Sequence, residues 1–127
     1  MSALAERLAR VASRSTLRLT HHGRKTGTPY EVVIWFVVEG EQVFLGTASA
    51  RRQWVRNVQR RPDVRLAVDG ETFTGTVERL GPAADVRHVT DLLAAKYWYL
   101  WPVLAIARLL GFDPAPDATF RVHVDVD

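Results

Sequence analysis

The chain has 127 residues, 47% hydrophobic and 24% charged, which matches one domain of roughly 100–150 residues with an ordinary globular balance. It contains no cysteine, so disulfides, thiolate metal sites and a cysteine nucleophile are all excluded. The net charge is +3 and the only lysines are Lys25 and Lys96, so the surface is arginine-based and favours anionic partners.

Taken in order, residues 2–13 place Leu4, Leu8 and Val11 at helical spacing, with Arg7, Arg10 and Arg14 beside them. The same stretch lacks the apolar core of a secretory signal, which points with the missing cysteines to the cytoplasm. A strand is expected from Leu17 to His21, ending in the turn-forming run Gly23 to Pro29. Tyr30 to Val38 is rich in β-branched and aromatic residues, as in a strand covered on both faces. Glu39-Gly40 turns the chain back into a partner strand, Gln42 to Thr47. A short helix over 50–61 is stopped by Pro62.

Val64 to Val68 and Thr72 to Leu80 then form a hairpin about Asp69-Gly70. After Gly81-Pro82 a helical stretch runs from Ala83 to Leu110, interrupted at Pro102. Phe120, Val122, Val124 and Val126 alternate with polar residues as a last, half-buried strand. These elements predict one α+β domain over 1–127, with about six mostly antiparallel strands closed as a small barrel and flanking helices. Asp113-Pro114-Ala115-Pro116-Asp117 reads as a loop.

Two segments suit an anion. In the turn between the first strands, Gly23 and Gly27 flank Arg24, Lys25 and Thr26, pairing a permissive backbone with charge and donors. It lacks the glycine spacing of a Walker loop. About twenty residues later Thr47-Ala48-Ser49 leaves a strand and opens the helix, with Ser49 expected as N-cap. Arg51 and Arg52 then fall in the first turn, where positive charge opposes the helix dipole unless an anion is held there. Trp54, Asn57 and Val58 share one helix face.

With Leu17-Arg18-Leu19-Thr20 before the turn and Pro62-x-Val64 after the helix, these residues resemble the deazaflavin-dependent nitroreductase family. The likeness is good over about residues 15–80 and looser elsewhere. It implies a split β-barrel, coenzyme F-420 as cofactor and hydride transfer to a quinone- or nitro-type acceptor. It further implies that Arg24, Lys25 and Thr26 hold the phosphate and that Thr47, Ala48 and Ser49 line the ring. Trp54 and Asn57 would complete the pocket, with Arg51 and Arg52 facing the anionic tail. The protein's task would be orientation and exclusion of water, with no dedicated acid–base residue. FMN, which the same barrel also serves, is the alternative cofactor, and a non-catalytic carrier of a flavin-like anion is the alternative function.

The run Lys96-Tyr97-Trp98-Tyr99-Leu100-Trp101-Pro102 is the richest aromatic patch, and the apolar run after it is too short to span a bilayer. Adjacent aromatics on a helix cannot all face one core. Some are therefore expected in a substrate pocket, a dimer interface or a peripheral membrane contact. The resemblance makes Tyr97, Trp98 and Tyr99 the substrate-side candidates. His21 and His22 are neighbours on a strand, point to opposite faces and cannot share a metal, and His88 and His123 lack ligand spacing. The basic residues lie in turns and helix starts and are not interleaved with aromatics on strands, which argues against nucleic acid.

Overall fold

A computed structural model describes residues 2–47, 49–111 and 117–126. Helix α1 (Ala3–Val11) buries Leu4, Ala5, Leu8 and Val11, and the Ser2 hydroxyl caps it by accepting from the Ala5 N–H at 3.0 Å. Strands β1 (Leu17–His22), β2 (Pro29–Ile34), β3 (Phe36–Glu39) and β4 (Gln42–Thr47) follow, then helix α2 (Gln53–Arg60). Strands β5 (Asp63–Val68) and β6 (Glu71–Arg79) form the expected hairpin. Both turn residues have positive φ, 50° at Asp69 and 82° at Gly70. Helix α3 (Ala83–Lys96), a 3-10 turn over Trp98–Leu100, helix α4 (Trp101–Leu109) and strand β7 (Ala118–Val124) complete the described elements.

All the strands belong to one sheet of order β2-β1-β5-β6-β7-β4-β3, and every pairing is antiparallel. The described residues thus give seven strands rather than the expected six. The reason is Trp35, which breaks the Tyr30 to Val38 run so that its halves pair with β1 and β4 respectively. Those halves are the two edges of the sheet, joined by a single residue, so the sheet must curl until its edges meet there. This is the half-barrel of the split-barrel fold.

Edge position also corrects the expectation of a strand covered on both faces, because within β2 only Ile34 is buried. Likewise the last strand stops at Val124, leaving Val126 exposed. The expected helix over 83–110 is divided before Pro102, as its ring demands.

The barrel interior is filled by inward residues at alternate positions, among them Leu17 and Leu19 of β1, Val64 and Leu66 of β5, and Phe120 and Val122 of β7. α1 and α2 add Leu8, Val11, Trp54, Val55 and Val58 to this core. A smaller cluster joins Val37, Phe44, Leu80 and Val89 beneath α3.

Tyr97 and Lys96, at the end of α3, clasp the seam. The Tyr97 hydroxyl donates to the Ser15 carbonyl at 2.6 Å and accepts from the Phe36 N–H at 3.2 Å. Its ring stacks on Trp35 with centroids 4.4 Å apart, and Lys96 Nζ donates to the Phe36 carbonyl at 2.8 Å.

Candidate cofactor-binding site

The β1–β2 turn and the start of α2 enclose an open cavity of about 700 Å³, within the usual range for a small-molecule site. His21, Gly23, Arg24, Lys25 and Thr26 line one side, with Tyr30, Glu31 and Val32 of β2 beside them. Arg52, Gln53, Trp54 and Asn57 line the other. The turn is held by backbone bonds, Gly23 N–H to Thr28 O and Gly27 N–H to Gly23 O, both 2.8 Å. Gly27 takes φ +77°, and a Cβ on Gly23 would stand 3.1 Å from Thr26 Oγ1 and 3.3 Å from the Tyr30 ring. The sequence Gly-Arg-Lys-Thr-Gly therefore folds into a tight loop that aims its charges at one place.

Asn57 ties the two sides together. Its Oδ1 accepts from the Arg24 backbone N–H at 3.2 Å and from Arg24 Nη1 at 2.9 Å, and Gln53 Oε1 takes a second bond from Nη1 at 2.8 Å. Its Nδ2 donates to His21 Nδ1 at 3.1 Å. Burial, with a smaller push from His22, lowers the His21 pKa below the ordinary histidine value. Trp54 packs on Phe120 with centroids 5.3 Å apart, and its sealed indole N–H has no partner among the described residues.

The N-terminus of α2 differs from expectation. The helix begins at Gln53 with Arg52 as N-cap and no capping side chain, and its first turn holds no acidic residue. Ser49 is therefore not the N-cap. It lies in a preceding turn, where its Oγ accepts from Arg51 N–H at 3.2 Å and its carbonyl from Arg52 N–H at 3.4 Å. Arg51 and Arg52 accordingly precede the helix rather than fill its first turn. The bare helix terminus and Arg52 together leave positive potential at the cavity mouth.

Of the candidates named from sequence, Arg24, Lys25, Thr26, Arg52, Trp54 and Asn57 come together around this cavity. Thr47, Ser49 and Arg51 are not in its lining, and Ala48 lies outside the described residues, as does the loop over 113–116. Thr47 and Ser49 bond each other, Thr47 Oγ1 donating to Ser49 O at 3.1 Å.

Tyr97 is buried at the barrel seam with its hydroxyl committed to backbone groups, away from the cavity. Trp98 and Tyr99 are exposed and do not line it. His21, Tyr30 and Gln53 line the cavity but were not candidates from sequence. The alternation of β1 held a signal for His21, since it shares the inward face of Leu17 and Leu19.

No curated protein matches the chain. Solved structures share its fold at low identity. A putative 5-nitroimidazole antibiotic resistance protein from Bacteroides thetaiotaomicron aligns with TM-score 0.70 at 16% identity, over 95% of this chain and 80% of its own. An F420-H2 dependent reductase, FDR-A, aligns with TM-score 0.67 at 18% identity, over 86% of this chain and 94% of its own. A protein solved as a domain-swapped dimer gives TM-score 0.67 at 18% identity, over 86% of this chain and 80% of its own. The sequence profile of the F420H(2)-dependent quinone reductase family matches residues 4–99, from the first helix past the aromatic run's first residues. With three quarters of its length inside that match, the chain belongs to the F420H(2)-dependent quinone reductase family.

Proposed function

We propose that the cavity holds reduced coenzyme F-420 and that the protein passes a hydride from it to a quinone- or nitro-type small molecule. One observation carries this reading: in a member of this family, Arg24, Lys25 and Arg52 converge on one cavity that also has an apolar wall. The cofactor supplies the hydride when bound. Arg24, Lys25 and the Thr26 hydroxyl offer donors for its phosphate, and Arg52 adds charge at the helix start. Tyr30, Val32 and Trp54 give a flat ring something apolar to lie against and keep water from it. Thr47 and Ser49 act at one remove, by shaping the segment that delivers Arg52. Tyr97, held in the barrel seam, has no part in this reading. The exposed aromatic and aliphatic surface of the 3-10 turn and α4 is proposed as the contact with a second copy of the chain.

The test is a binding titration of the purified protein with coenzyme F-420 and FMN in parallel, for wild type and Lys25→Ala. Wild type is expected to bind the deazaflavin more tightly. Lys25 is exposed and pairs with no acid among the described residues, so its loss is expected to leave the melting temperature unchanged. Binding weakens by about 1.5–3 kcal/mol, the scale of a hydrogen bond to a charged group, and less so at high salt. Equal or tighter FMN binding would move the protein to a flavin function, and no binding of either would sink the enzyme reading.

A further inference from the structure

We propose that His21 is a ligand-contacting residue of the cavity, a neutral hydrogen-bond donor whose tautomer is set through Asn57 by Arg24. The argument is one of directionality. Arg24 offers only donors, from its backbone N–H and from Nη1, so the Asn57 atom between them must be the carbonyl oxygen. That orientation turns the Asn57 amide N–H toward His21 Nδ1, 3.1 Å away. An N–H aimed at Nδ1 requires a lone pair there, and the single imidazole proton is then on Nε2.

Nε2 makes no hydrogen bond within the described residues and is not among the sealed, unpartnered buried atoms. His21 itself is only 4% exposed, and the cavity is the space that it lines. The Nε2–H is thus presented to whatever the cavity holds. The ring is fixed in plane as well as in tautomer, since it stacks against Tyr30 with centroids 5.8 Å apart and planes 29° from parallel. Burial disfavours the charged imidazolium and lowers its pKa, in keeping with the lone pair that the Asn57 N–H requires on Nδ1.

The class of ligand atom follows. A neutral N–H beside the cations Arg24, Lys25 and Arg52 suits an oxygen acceptor, either an anionic oxygen or a carbonyl. The donor adds direction where the cations add charge. This inference stands on the cavity geometry and rests on the proposed function only for the identity of the ligand.

The experiment has two arms. In the first, ¹⁵N NMR of the ligand-free protein with labelled histidine reads the tautomer of His21 directly. It is expected to show the Nε2–H form near neutral pH, with the Nε2 signal shifting on titration with coenzyme F-420. The Nδ1–H form, or a cation at pH 7, would overturn the proposal whatever the protein binds.

The second arm measures affinity for coenzyme F-420, FMN and inorganic pyrophosphate in wild type, His21→Phe and His21→Gln. Phenylalanine keeps the stacked ring but removes both nitrogens, whereas glutamine can accept from Asn57 and still donate into the cavity. His21→Phe is expected to lose about ten-fold in affinity for the tightest of the three ligands, and His21→Gln to stay within about three-fold of wild type. Undiminished binding by His21→Phe, or glutamine no better than phenylalanine at equal melting temperature, would remove the donor role. No binding of any of the three by wild type would overturn it too. Binding of pyrophosphate or FMN without the deazaflavin would leave this proposal standing and the proposed function fallen.

Discussion

Lys96 shows how one side chain can serve the fold at a cost. Its ammonium donates to the Phe36 carbonyl and lies 3.6 Å from the centroid of the Phe36 ring, a cation–π contact. Desolvation nevertheless lowers its pKa to about 8. A pKa below the unfolded lysine value means that the unfolded chain binds more protons in the window between, so stability rises with pH from about 8 toward 10. Tyr97 opposes this at the top of the range. Burial raises its pKa above the ordinary tyrosine value, so stability falls once an unfolded tyrosine would ionise. The urea midpoint of wild type is therefore expected to climb between about pH 8 and 10 and then turn over. In Lys96→Met the climb should be absent; a climb of the same size would show that Lys96 is not its source.

At the level of elements, strand packing makes the sharpest demand at Gly75. β6 lies between β5 and β7 and pairs Gly75 with Val64 and Val124. A Cβ at Gly75 would come within 2.6 Å of the His123 carbonyl oxygen and 2.9 Å of Val122 Cγ1. Backbone of a central strand cannot yield as a flexible side chain would, so Gly75→Ala is expected to destabilise by about 1–3 kcal/mol. Gly81, where a Cβ meets nothing within 4 Å and φ is not positive, is the control, expected to change by no more than about 0.5 kcal/mol on substitution by alanine. Equal denaturant midpoints for the two variants would contradict the packing argument.

For the molecule as a whole, the surface of the 3-10 turn and α4 is the feature that a single copy leaves unexplained. No residue of α4 is buried, and Trp98, Trp101, Val103, Ile106, Leu109 and Leu110 are all more than half exposed. A helix apolar around most of its circumference is normally covered. From ordinary side-chain areas these six expose roughly 700–800 Å², close to the ~800 Å² that each partner contributes to a standard protein interface. No described helix is long and apolar enough to cross a membrane. Sedimentation velocity is expected to show concentration-dependent self-association of wild type, and Ile106→Glu with Leu109→Glu to shift it to monomer with coenzyme affinity within about two-fold. A wild type that stays monomeric but pellets with anionic vesicles would assign this surface to a lipid interface instead.

Much of this was legible along the chain, because the deciding forces were local. Period and turn chemistry placed α1, the strands β1 and β5 and the Asp69-Gly70 hairpin, and the Gly-Arg-Lys-Thr-Gly turn carried the family likeness and the expectation of an anion. Tertiary structure alone decided where the Tyr30 to Val38 run divides, since only sheet closure makes Trp35 a seam between two edges. It alone moved Tyr97 from a proposed pocket wall to the clasp of that seam, where burial obliges its hydroxyl to find backbone partners. It also brought His21 to Asn57 across 36 positions of sequence. Composition and period register which face a residue occupies. Which distant group meets it there is set by how the sheet curls, and the chemistry of the cavity depends on that meeting.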